Sequence, residues 1–134
     1  MSVYALDSNI VSFYLRDNAN VIANIEKAIT DGSSIIIPPI VYYEVKRGLK
    51  FINATKKMKE FETLCELFPV GELSNFLLEK SIEIYIQERK AGRNIEDADI
   101  FIASFCILNN YVLVTDNIDH FTKISDLQII NWAR

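Results

Sequence analysis

The chain predicts an α/β fold around a parallel sheet, and three observations carry that expectation. Short strand-like apolar runs alternate with longer stretches of helical period, the pattern that successive βα units leave in a sequence. The length, 134 residues, matches one domain. Hydrophobic residues make up 50% of the chain, enough for a real core and too many for a disordered one. No internal repeat, low-complexity tract or linker rich in Gly, Pro or Ser interrupts the pattern, so residues 1–134 read as a single domain.

The elements follow in order. Residues 3–7 read as the first strand, an apolar run closed by Asp7. Asn18 or Asn20 can cap a helix running to about Thr30, with Val21, Ile22, Ile25, Ala28 and Ile29 on one face. Asp31-Gly32 ends it, and Ser34 to Ile37 form a second, buried strand. Pro38-Pro39 break that strand, and Pro39 can start the helix bearing Glu44, since a first turn loses nothing by a missing N–H. Gly48 is tolerable near the end of that helix. Thr55 to Glu66 looks helical, and Leu67 to Val70 reads as a short edge strand stopped by Pro69 and Gly71. A longer helix from Ser74 to Lys90 carries Phe76, Leu77, Ile82 and Ile86, and Gly92 stops it. Residues 97–109 form the next helix, with Asp99, Ile102, Ala103, Cys106 and Ile107 at i, i+3, i+4, i+7 and i+8. Residues 111–115 are a third strand and Leu127 to Ile130 a last one.

Four acids sit where apolar stretches end or turn. Asp7 closes Val3-Tyr4-Ala5-Leu6, Glu44 follows Ile40-Val41-Tyr42-Tyr43, Asp99 opens Ile100-Phe101-Ile102-Ala103, and Asp116 ends Tyr111-Val112-Leu113-Val114-Thr115. A charge at the edge of a core segment is costly to desolvate unless it is paired or binds a metal. One such residue means little, because strand ends border solvent anyway. Four suggest a shared pocket, and clustered carboxylates repel one another unless a cation holds them. In an open parallel sheet, ligands bind beyond the carboxyl ends of the strands, where Asp7 and Asp116 fall. Helical phasing puts Asp99 on the core face at the positive end of its helix, whereas Asp97, about 200° around the axis, faces elsewhere. Hard oxygen ligands favour Mg²⁺ or Mn²⁺, and no His or Cys cluster competes for zinc. The lone histidine, His120, lies in a loop-like stretch and reads as an ordinary surface residue.

The formal net charge of −4 argues against a nucleic-acid partner when taken as an average. The basic residues are unevenly spread, however. Lys46, Arg47, Lys50, Lys56, Lys57 and Lys59 cluster after Glu44, and Arg89, Lys90 and Arg93 precede Asp97 and Asp99. Each group alone reads equally well as a solvated helix face. Because both flank the suspected carboxylates, they are read as a phosphate-contacting rim, with Lys46 and Arg47 as phosphate contacts. Cys65 and Cys106 lie in apolar helical surroundings and read as buried, reduced thiols of a cytoplasmic protein. No signal peptide is visible, and the longest apolar run, Ile35 to Tyr43, holds two prolines and is too short to span a bilayer.

These motifs resemble the PIN domain, in particular the VapC-type ribonuclease toxins of bacterial toxin–antitoxin pairs. The matching stretches are Asp7-Ser8-Asn9, Glu44-Val45-Lys46-Arg47-Gly48, Ile95-Glu96-Asp97-Ala98-Asp99-Ile100-Phe101-Ile102-Ala103, Leu113-Val114-Thr115-Asp116-Asn117 and Asp119-His120-Phe121. Each alone is weak, but the ordered set spans essentially the whole chain. The resemblance implies a three-layer α/β/α sandwich with a central parallel sheet of four to five strands, and metal-dependent endonuclease activity on RNA. It implies Asp7, Glu44 and Asp99 as the first three acidic ligands, and Asp116 as the fourth, with Asn117 or Asp119 as substitutes. Ser8, Asn9 and Thr115 resemble the polar residues that orient those ligands. Homodimers, and a small antitoxin whose tail enters the acidic groove, are also implied. The Asp-Ser-Asn-Ile opening and the Asn131-Trp132 ending look most like the subgroup that cuts initiator tRNA in the anticodon loop.

With such a site, one or two Mg²⁺ ions would activate a water and neutralise charge on the phosphate, and Glu44 would bind a second metal through water or orient the attacking water. Two alternatives compete with this reading. A haloacid-dehalogenase-like phosphatase needs a second Asp two residues after the first, and position 9 is Asn. A non-catalytic binding module of the same fold would be expected to have lost some acids, and all four remain.

Overall fold

The computed structural model describes residues 2–134. The elements run β1 (Val3–Leu6), α1 (Ser8–Leu15), α2 (Ala19–Thr30), β2 (Ser34–Ile36), α3 (Pro39–Phe51), α4 (Thr55–Leu67), α5 (Asn75–Lys90), α6 (Asp97–Asn109), β3 (Val112–Val114), α7 (Ile118–Phe121) and β4 (Gln128–Ile130). The strands form one sheet of order β2-β1-β3-β4, parallel throughout. Ala5 and Leu6 are both fully buried, as are Leu113 and Val114. Consecutive strand residues point to opposite faces, so helices must cover the sheet on both sides, giving three layers.

Local chemistry explains most boundaries. Asn18 accepts a hydrogen bond from the Val21 N–H at 3.0 Å and so caps α2, one of the two caps the sequence offered. Ser74 does the same for α5 through Leu77 N–H at 3.2 Å. Pro39 opens α3 without a side-chain cap, and Asn110, in the left-handed region at φ 57°, closes α6.

Three expectations change. Leu67 to Val70 is not a strand: α4 runs through Leu67, and only Val70 pairs, as an isolated parallel bridge to Ile37. The chain there is held by Ile37 N–H to the Pro69 carbonyl at 2.9 Å and Gly71 N–H to the Ile37 carbonyl at 2.8 Å. Secondly, Ser8–Leu15 and Ile118–Phe121, to which the sequence reading assigned no element, are helices. Both are too short for a hydrophobic period to stand out. Thirdly, of the α5 residues singled out for that helix, only Leu77 enters the core; Phe76 is 78% exposed, Ile82 54% and Ile86 45%. The buried face is Leu77, Ser81, Ile84 and Glu88. Ser81 Oγ lies 2.7 Å from the Leu77 carbonyl and 2.9 Å from Ser104 Oγ of α6, and its one proton serves one of these contacts at a time, which lets hydroxyls occupy an interior helix contact.

Registry sets the position of the site. Leu6 is paired with Val114 and Val114 with Ile130. Asp7, Thr115 and Asn131 therefore follow side by side at one carboxyl edge. β1 is also where strand order reverses, since the chain passes to β2 on one side and to β3 on the other. A crevice at such a switch point is the usual ligand site of an open α/β sheet.

Candidate active site

Asp7 is the centre of the arrangement. It is 4% exposed, and both of its oxygens accept hydrogen bonds from neighbouring residues. Its Oδ1 accepts from Ser8 N–H at 2.7 Å. Its Oδ2 accepts from Thr115 Oγ1 at 2.7 Å and from Asn9 Nδ2 at 3.3 Å. Asn9 ties the two strand ends together, because its Oδ1 also accepts from Asp116 N–H at 3.0 Å. Thr115 Oγ1 in turn accepts from Asn117 N–H at 3.0 Å. Ser8, Asn9 and Thr115 thus all bond the Asp7 carboxylate.

Glu44 reaches the same edge from α3 and accepts from Ser8 Oγ at 2.7 Å through Oε1. Asp99 reaches it from the first turn of α6 and contacts His120 Nδ1 at 3.1 Å. Helical phasing holds: Asp99 is half-buried while Asp97 is exposed. The three carboxylates feel one another. Burial pushes the Asp7 carboxyl above its ordinary range against the pull of its hydrogen bonds, and the charges of Asp99 and Glu44 add to the rise. Burial likewise raises Asp99; His120 opposes this, and Glu96 and Glu44 reinforce it.

Asp116 is differently placed. Its Oδ1 is held by Asn131 Nδ2 at 2.9 Å and Arg134 Nε at 3.2 Å, and these bonds draw its carboxyl below the ordinary range. Asp119, offered as a substitute, lines one cleft together with Asp99 and His120. Asn117 is exposed at the start of α7 and contributes its backbone N–H to Thr115.

The basic groups are partly committed elsewhere. Lys46 donates to the Tyr42 hydroxyl at 2.8 Å, on the face of α3 that packs Tyr42 on Phe61 of α4. Arg47 lies over the exposed Tyr43 ring at 4.8 Å, one turn past Glu44. Arg93 forms a bidentate pair with the buried Glu88. Cys106 is buried, which raises its thiol, and Cys65 is half-buried.

Three participants carry no site role in the sequence alone. His120 is exposed as expected, yet it belongs to a helical turn and touches Asp99. Asn131 and Arg134 latch onto Asp116 across the β3–β4 edge. The Asp119-His120-Phe121 motif was a signal for the first; nothing local signals the others, because only strand pairing brings them in.

The donor set suits a hard divalent cation. Among the described residues no three His, Cys, Asp or Glu side chains lie close enough to grip one ion as they stand. Magnesium does not require that, since it keeps several waters and is bound through one or two carboxylates. Asp7 with Asp99 or Glu44 meets that demand.

The profile of the PIN domain matches residues 4–127, and the chain belongs to the PIN-domain family. Its relatives are VapC proteins. Ribonuclease VapC2 of Rickettsia felis is 27% identical, over 98% of this chain and 99% of the relative. Ribonuclease VapC1 of Haemophilus influenzae strain R2866 is 26% identical over the same shares. The structure of VapBC-1 from nontypeable Haemophilus influenzae superposes with a TM-score of 0.86 at 26% identity, covering 98% of this chain and 99% of that one. Family membership removes the phosphatase alternative. No helix of the described residues is long and apolar enough to cross a membrane.

Proposed function

We propose that this protein is a Mg²⁺- or Mn²⁺-dependent endoribonuclease, the toxin half of a toxin–antitoxin pair. The observation that supports the reading is that Asp7, Glu44 and Asp99 gather at the switch-point edge of the sheet: Ser8 bonds both Asp7 and Glu44, and the charges of Glu44 and Asp99 reach an Asp7 carboxyl held against its own desolvation. Evolutionary kinship to proteins named ribonucleases supplies the substrate class.

Asp7 would hold the ion together with Asp99 or Glu44, and Asp116, whose Oδ1 is occupied, would contribute through Oδ2. When bound, the ion supplies Lewis-acid activation of water and neutralises charge on the phosphate. Thr115, Asn9 and the Ser8 N–H keep Asp7 in one orientation, so little is lost in ordering it. Ser8 Oγ fixes Glu44, which is then placed to orient the attacking water and accept its proton. Arg47, past Glu44, and Lys46, once released from Tyr42, provide phosphate contacts on the rim. Transfer RNA is the substrate class that the Asp7-Ser8-Asn9-Ile10 and Asn131-Trp132 motifs favour. The apolar stripe on α5 suits a second copy of this chain, and a small antitoxin would close the acidic edge. These attributes fit a cytoplasmic protein.

The test is cleavage of RNA by the purified protein. Mg²⁺-dependent cuts should disappear with chelator and in Asp99→Ala, with the fold retained by circular dichroism. An Asp99→Ala protein cutting at the wild-type rate would sink the assignment.

A further inference from the structure

Asp99 also forms part of a second concavity. A cleft of about 380 Å³ opens between the turn after α5, the first turn of α6 and α7. Its volume lies at the lower end of the roughly 300–1,000 Å³ that small ligands occupy.

One side of this cleft is pinned from within. Glu88 is 4% exposed, and a carboxylate so buried needs a partner. Arg93 provides it with both arms of its fork, Nε to Oε1 and Nη2 to Oε2, each at 2.9 Å. Gly92, at φ 77°, makes the reversal that brings Arg93 back onto α5. The turn is thereby fixed, and it presents Asn94, Ile95 and Glu96 to the cleft. From α7 and the residues after it come His120 and Lys123.

This set matches what single-stranded RNA requires of a binding pocket. A half-buried Ile95 and the exposed His120 ring provide apolar and aromatic surface for a base. Asn94 offers a donor and an acceptor to a base edge, and Glu96 accepts only. Lys123 is a point charge for phosphate. Glu96, Asp99 and Asp119 border the same space and repel phosphate, so the cleft itself suits a base, and a phosphate can meet only Lys123.

We infer that this cleft seats the nucleotide adjoining the scissile phosphate and reads its base. Lys123 binds the phosphate, the base lies against His120 and Ile95, and Asn94 and Glu96 read its edge. Glu96 only accepts, so it suits a base with an exocyclic amino group better than uracil, whose single N3–H donor is flanked by two carbonyl oxygens that a carboxylate repels. This rests on the ribonuclease reading and adds a specificity to it.

The experiment is cleavage of random-sequence RNA, with sequencing of the new ends, by wild type, Glu96→Gln and the pair Asn94→Ala/Lys123→Ala. Wild-type ends should be depleted of uracil on one side of the cut. Glu96→Gln, which gains a donor, should relax that depletion by about threefold or more. Asn94→Ala/Lys123→Ala should raise KM about tenfold with little change in kcat, and with an unaltered melting temperature. A wild-type protein that cuts no RNA overturns the ribonuclease reading itself. If wild type cuts and the variants keep its KM and end preference, the cleft assignment alone is overturned, and the cleft is then free for a protein ligand.

Discussion

Asp7 shows how a single side chain can serve function against stability. Its carboxyl is raised in the folded state chiefly by burial. The sign follows: its contribution favours folding below the ordinary carboxylate pKa, and that contribution is lost as pH rises through the elevated folded value. At neutral pH the ionised group therefore weakens the metal-free fold. Asp7→Asn keeps the shape and removes the charge. In chelator it should melt above wild type near pH 7, with the gain shrinking as pH falls toward the unperturbed carboxylate range, while RNA cleavage is lost. A variant that melts below wild type at neutral pH would mean that the hydrogen bonds from Thr115 and Asn9 outweigh desolvation.

At the scale of elements, close packing explains what sequence periodicity could not. A Cβ on Gly71 would lie 2.3 Å from the Phe105 ring, and that ring is buried and edge-on to Tyr111 at 5.7 Å. Gly71 therefore lets the turn after α4 press onto α6. Gly71→Ala should cost about 1–3 kcal/mol, read as a lower urea midpoint at an unchanged slope. The α5 helix carries a second lesson. Its apolar residues exceed what one face can bury, and Phe76, Ile82 and Ile86 are left in water. Ile82 and Ile86 share one face with the exposed Leu78 and Tyr85, and an exposed apolar stripe of this kind marks an interface more often than chance. Light scattering should show a dimer that Ile82→Lys converts to monomer at equal concentration; a wild-type monomer at tens of micromolar would refute the pairing.

Across the whole molecule, the parallel sheet gathers carboxylates that lie far apart in the chain, and their repulsion is the energy a cation can relieve. The unfolded chain has no such site, so metal occupancy should raise the melting temperature with concentration, by an amount equivalent to about 2.7 kcal/mol at a hundredfold excess over Kd. Mg²⁺ or Mn²⁺ should suffice without Zn²⁺. The response should vanish in Asp7→Ala/Asp99→Ala and persist in Asp97→Ala, whose side chain is exposed. The opposite pattern for Asp97 and Asp99 would require the site to be redrawn two residues away.

The sequence by itself determined the alternation of strands and helices, the parallel sheet and the element ends on which Asp7, Asp99 and Asp116 fall, because hydrophobic period and strand-end position are local properties. Asp99 was separable from Asp97 for the same reason: two residues turn a helix through about 200°. Tertiary structure alone decided the rest. That Asp116 is held by Asn131 and Arg134 follows from the β3–β4 register, which no local pattern encodes. That His120 meets Asp99 follows from where α7 settles, and a four-residue helix has no period to read. That Lys46 turns to Tyr42 and Arg93 to Glu88 follows from packing against neighbouring helices. A charged side chain takes whichever partner the fold brings within reach, and only the assembled sheet and its helices specify that partner.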